Sequence, residues 1–259
     1  MKTFILSLPK DVDRRAHMTE QLPKAGITDY EFVDGIDCRK LTVDELDTVF
    51  DVRRFRRLHG VDPMPGEVGC AIGHHNIWQA CLDNGEGPWL VLEDDVAMED
   101  GFISDIEKMG SLISKTDVAS VIVASFFAYY KECDGNVKPA SYVCGTFCYI
   151  INKAAAMLLY GLGRPHYLAD DWQYFAKIGL DLKICVHPHI KHDFSFASSI
   201  PQRSEWSEKM SGFQKIKSIC RALPREIKYK LGFCRLYNPY DVPLVTEGLK
   251  NKVRTFFKS

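Results

Sequence analysis

Residues 89–95 read Trp-Leu-Val-Leu-Glu-Asp-Asp, four apolar side chains followed without a break by three carboxylates. An unbroken apolar run of this length suits a strand covered on both faces, and such strands belong to sheets with helices above and below. The acids then fall at the strand's carboxyl end. Neighbouring carboxylates repel one another and lose hydration on burial, so they persist where a cation or an ordered ligand compensates them. An acidic loop facing water is the plainer alternative.

The rest of the chain alternates in the same sense. Residues 2–8 read as a buried strand, followed by a helix stopped near Pro23 and Gly26. Residues 29–37 form a second predicted strand with Asp34 at its carboxyl end. Thr42 and Glu45 have capping-box spacing at the head of a helix over 41–50. Arg53 to Gly66 is a basic stretch running into a turn, and 66–85 is a helix closed by Asn84-Gly85. A helix around 101–114, a buried strand in 118–125, a β-rich stretch at 140–152, helices at 153–162 and 170–180, and a strand at 182–188 complete the pattern. Strands alternating with helices predict an α/β domain with a largely parallel sheet, which binds ligands beyond the carboxyl ends of its strands. Asp34 and the acids at 93–95 lie there.

The formal net charge is −1, but residues 1–202 carry −9 and residues 203–259 carry +8. An acidic body with a basic tail points to an anionic surface as partner, or to the tail folding back on the body. Nine cysteines without a CxxC pair or a secretion signal read as reduced thiols in a cytoplasmic protein. The longest apolar run, 118–130, is too short for a membrane span.

Glu93 and Asp95 alternate in an extended segment and can face one ligand together. Mn²⁺ or Mg²⁺ takes one or two such carboxylates and keeps positions for diphosphate oxygens. The segments FILSLPKDVDRRAHM, GEVGCAIGHHNIW, WLVLEDDV, CGTFCYIINKAAAMLL and HDFSFASSI together resemble, in order and rough spacing, the family 25 glycosyltransferases, which include bacterial lipooligosaccharide galactosyl- and glucosyltransferases. The resemblance covers about residues 3–200. It implies a GT-A-like, Rossmann-type mixed sheet flanked by helices, and inverting transfer from UDP-galactose or UDP-glucose to an oligosaccharide or glycolipid acceptor. It also implies a divalent metal, usually Mn²⁺.

By the same resemblance Leu8, Arg14 and Arg15 belong to the first strand–helix junction, where the nucleotide would sit, and Asp34 to the uracil or ribose. Glu93 and Asp94 fall on the donor, Asp95 on the metal, and Gly145 and Thr146 near the sugar. His74 matches a motif histidine, although the serine that usually precedes it is Gly73 here. An inverting reaction needs a base for the acceptor hydroxyl. Asp171 aligns with the family's acid, at a predicted helix N-terminus that favours its ionised form. Asp170 is the second candidate, and either acid could serve only as a cap. His187, His189 and His192 lack the partners of a zinc site. His192 with Asp193 resembles a family His-Asp, a candidate contact to metal or diphosphate, and Ser198 and Ser199 are candidate diphosphate contacts.

Residues 215–231 have the pattern of a basic amphipathic helix, suited to an anionic membrane surface or to docking on the catalytic domain. No basic motif interleaved with aromatics points to nucleic acid. The sequence therefore predicts a catalytic domain over 1–202 and a helical, basic extension over 203–259, in a cytoplasmic protein. The extension would lie either peripherally at the inner face of the inner membrane, where a lipid-linked acceptor of the kind the resemblance implies would stand, or against the catalytic domain.

Overall fold

The computed structural model describes residues 1–114, 116–196 and 227–241. The strands are β1 (Thr3–Ser7), β2 (Tyr30–Asp34), β3 (Trp89–Glu93), β4 (Val96–Met98), β5 (Ser120–Ala124), β6 (Phe127–Tyr130), β7 (Val137–Cys144), β8 (Cys148–Ile151), β9 (Asp181–Cys185), β10 (Ile190–His192) and β11 (Arg235–Tyr237). Helices α1 (Val12–Lys24), α2 (Val43–Val49), α3 (Val52–His59), α4 (Pro65–Asp83), α5 (Phe102–Ile113), α6 (Lys153–Tyr160) and α7 (Trp172–Lys177) surround them.

One large mixed sheet runs in the order β2-β1-β3-β8-β5-β9-β7-β6-β11, with β10 and β4 paired separately. β1 is parallel to both β2 and β3. β8 then runs antiparallel between β3 and β5. This reversal makes the sheet mixed rather than largely parallel. It also brings the amino end of β8 beside the carboxyl ends of β1, β2, β3 and β5. The segment read as one β-rich stretch at 140–152 is two strands, interrupted at Gly145-Thr146-Phe147.

The apolar strands divide two cores. Phe4, Trp89, Val91, Val121 and Val123 pack on one face with Trp78 of α4 and Leu159 of α6. Ile5, Leu90, Leu92 and Ile122 pack on the other with Met18 of α1 and Ile106 of α5. Burial on both faces explains why β3 and β5 carry no polar alternation. Thr42 and Glu45 form the expected capping box at α2. The basic stretch expected to be a turn is helical over Val52–His59. Asp51 caps it, Phe55 and His59 face inward one turn apart, and Gly60 ends it in a left-handed conformation.

The boundary expected at 202/203 does not coincide with the edge of the sheet. β11, far into the basic extension, pairs antiparallel with β6. Most of the expected helix over 215–231, with Ser198 and Ser199, lies outside the described residues. Among the described residues the cysteines are free, and no helix is long and apolar enough to cross a membrane.

Candidate active site

A cleft of about 360 Å³ opens where β1, β2, β3 and β5 end and β8 begins. Its walls include Leu6, Ser7 and Leu8 from β1 and the residues just after it, and Gly35, Ile36, Asp37 and Arg39 from the segment after β2. Glu67 and Cys70 of α4 also contribute, as do Phe126, Asp170 and His192.

The three acids after Leu92 each have compensation of their own. Glu93 accepts from the Thr146 hydroxyl and lies 3.3 Å from His74 Nε2. Asp94 is 2.6 Å and Asp95 3.1 Å from the Arg14 guanidinium, and Asp95 is also 3.4 Å from His192 Nε2. Burial pushes the Asp94 carboxyl above the ordinary carboxylate range despite Arg14. At Asp95 burial acts in the same direction, but His192 and Arg14 outweigh it and hold the carboxyl below that range.

His74 is buried behind Glu93. Its Nδ1 lies 2.9 Å from the Tyr149 hydroxyl, which also accepts from Trp78 Nε1. A Cβ on the neighbouring Gly73 would overlap Leu6, so the absence of the expected serine lets α4 approach β1 closely. Arg15 and Asp34 pair with one another at 2.5 Å outside the cleft lining, with the Asp34 side chain 67% exposed. Asp37 lines the wall in its place and is held by Lys10 and Arg39. The sequence reading missed Asp37, Arg39, Glu67 and Phe126. The run GIDCRK after the second strand carried the signal for the first two.

Gly145, at φ +96°, ties the two halves of the cleft together. Its N–H donates to Asp170 at 3.2 Å, and its carbonyl accepts from Trp172 Nε1 at 2.8 Å. A side chain there would run into Phe126. Asp170 lines the cleft, where burial first and then the charge of Asp171 push its carboxyl up to about 6. Asp171 points elsewhere. It accepts from the Leu168 N–H at 2.7 Å, and its carboxylate is 2.9 Å from His59 Nε2. Asp171 thus fixes its own loop, while Asp170 faces the cleft. α7 starts at Trp172 with Asp171 as its N-cap residue, so Asp171 stands at the helix N-terminus as expected, without a side-chain cap hydrogen bond, and neither acid lies within the first turn.

Two donor sets could hold a cation. Cys70, His74 and Glu93 have ligand atoms within 4.8 Å of one another. That set includes a thiol, suited to softer ions, and its histidine already has partners on both nitrogens. Asp95 with His192 suits Mn²⁺ or Mg²⁺ better. Asp95 Oδ1 is buried without a hydrogen-bond partner among the described residues, the kind of oxygen a cation would satisfy.

The profile of Glycosyltransferase family 25 (LPS biosynthesis protein) matches residues 1–173. The chain belongs to glycosyltransferase family 25. A Haemophilus influenzae protein assigned as a glycosyltransferase is 26% identical to it, over 86% of this chain and 82% of that one. Human procollagen galactosyltransferase 2 is 25% identical over 61% of this chain. The human inactive glycosyltransferase 25 family member 3 is 33% identical over 42% of it. The matches span only 27% and 18% of these two human proteins. Family 25 membership supports glycosyl transfer as the chemistry, and the family contains relatives that have lost it.

Proposed function

We propose that this family 25 protein is an inverting, metal-assisted hexosyltransferase. It moves galactose or glucose from UDP to a saccharide acceptor of the lipooligosaccharide or lipopolysaccharide kind. The observation that carries this reading is that one cleft holds Asp170 at one wall and Asp95 with His192 at another.

The nucleotide would lie along Leu8, Ile36, Asp37 and Arg39, within the part of the wall formed just beyond the ends of β1 and β2. Glu67, Glu93, Asp94, Asp95 and Asp170 make the cleft acidic, which opposes a diphosphate unless a cation accompanies it. Asp95 and His192 would hold Mn²⁺ or Mg²⁺, which would supply that charge and Lewis-acid stabilisation for a departing diphosphate. Arg14 keeps Asp94 and Asp95 together and ionised Asp95 available. Asp170 takes the proton of the acceptor hydroxyl as that oxygen attacks the anomeric carbon and the bond to the diphosphate breaks on the opposite face. Its raised pKa makes it a better base than an ordinary carboxylate, provided the pH lies above about 6. Gly145 donates to that carboxylate and so fixes its direction.

The test is UDP release from a panel of UDP-sugars, with Mn²⁺ or with chelator, and with pooled lipooligosaccharide acceptors. Release from one donor, dependent on metal and lost in Asp170→Asn, supports the assignment. The inactive human relative keeps a second reading in play, a nucleotide- or carbohydrate-binding protein without turnover. Tight UDP binding with no release under any of these conditions would favour it.

A further inference from the structure

The segment beyond the expected domain boundary returns to the cleft. After β11 pairs with β6, the chain brings Tyr240 against the end of β10. The His192 N–H donates to the Tyr240 hydroxyl at 3.0 Å. β10 pairs with β4 on its other side, and Asp193 N–H donates to the Asp95 carbonyl at 2.7 Å. The backbone on either side of the His192 side chain is therefore fixed twice. One anchor is the acidic strand itself and the other is the phenol from the C-terminal segment. A backbone N–H at a strand edge needs such a partner when it is away from water.

The ring of Tyr240 also belongs to the aromatic cluster around His192. It packs at 5.5 Å from both Phe126 and Phe194, and these two rings lie 5.2 Å and 4.6 Å from the imidazole of His192. Phe126 is also the ring that occupies the space beside Gly145. His192 Nδ1 is buried without a hydrogen-bond partner among the described residues, so polar contacts on that side of the ring do not set its orientation. The Asp95 carboxylate 3.4 Å from Nε2, the backbone anchor and the surrounding aromatic rings do.

We propose that Tyr240 is a positioning residue for His192, and that the segment around 233–241 is a working part of the donor site rather than an appendage. The part of this inference that concerns a cation rests on the function proposed above, whereas the ordering of His192 does not.

The test uses the full chain with ¹³C-labelled histidine, comparing wild type, Tyr240→Phe, Tyr229→Phe and His192→Ala. Tyr229 lies on the same C-terminal segment with its ring against Tyr129 and serves as the control. The expected result is one ordered set of His192 side-chain signals in wild type and Tyr229→Phe, and broadened or doubled signals in Tyr240→Phe. Mn²⁺ binding, followed by the resonance of the free ion, should weaken about fivefold to tenfold in Tyr240→Phe, the size of one lost hydrogen bond. It should not change in Tyr229→Phe. Unaltered His192 signals in Tyr240→Phe would overturn the proposal. Altered signals there, with Mn²⁺ bound normally by His192→Ala, would uphold the positioning role and remove His192 from the metal site.

Discussion

Arg14 Nη1 lies 2.6 Å from Asp94 Oδ1 and 3.1 Å from Asp95 Oδ2, so one residue of α1 joins the two acids that follow β3. All three side chains are largely buried. Removing one partner of a buried ion pair leaves a charge without compensation, which costs more than the pair contributes while intact. Arg14→Ala should lower the unfolding free energy by about 2–4 kcal/mol in urea titrations near neutral pH. A loss below about 0.5 kcal/mol, the scale of a surface pair, would show that water or another cation replaces the guanidinium.

Asp170 sets activity and stability against each other. Its folded pKa of about 6 lies above the unfolded value near 4, so the folded state binds the extra proton between them. This carboxyl therefore adds no penalty below about pH 4, and a penalty grows as pH rises through about 6. It reaches on the order of 2–3 kcal/mol. Asp170→Asn should match wild type in stability near pH 4 and exceed it at pH 8. Its kcat should fall by about 10²–10⁴. In wild type, kcat/KM should rise through about pH 6. A pH profile that is flat from 5 to 8 would exclude Asp170 as the base.

Asp95→Ala removes the buried oxygen that lacks a partner. Mn²⁺ affinity, measured calorimetrically without donor, should drop at least about tenfold. Cys70→Ser should leave it nearly unchanged. The opposite pattern would move the cation to Cys70, His74 and Glu93.

Gly145→Ala should be costly for two separate reasons. The residue sits at φ +96°, and its new methyl group meets the Phe126 ring. A loss of about 2–4 kcal/mol is expected. Because Gly145 also donates to Asp170, the pH at half-maximal kcat/KM should move along with the stability. Destabilisation with an unchanged pH profile would mean that the acid is held by other contacts.

The large features were legible because they depend on local pattern. Unbroken apolar runs marked β3 and β5, and Thr42 with Glu45 marked the start of α2. The acids at the end of β3 marked the cleft, since a strand end is visible in the sequence. What stayed hidden depends on distant partners. Nothing local distinguishes Asp170 from Asp171, because the difference is which one Gly145 and which one Leu168 and His59 engage. Asp34 suits a nucleotide by its place at the end of β2, but its pairing with Arg15 outside the cleft lining depends on a partner far away in sequence. The short strands β4, β6, β10 and β11 carry too few residues for a periodicity, and pairing partners define them.

The pairing of β11 with β6 joins residues about a hundred positions apart, and this gives the protein a direction in time. Synthesis proceeds from the amino end, so α1, β3 and the acids are available to fold well before residues 235–237 leave the ribosome. Until then β6 is the sheet's outer edge, with Ala128 and Tyr129, both buried in the finished fold, lacking their final cover. An uncovered edge of this kind invites pairing with other chains. β11 thus shields the edge of β6 in the nascent protein in the same step that carries Tyr240 to His192.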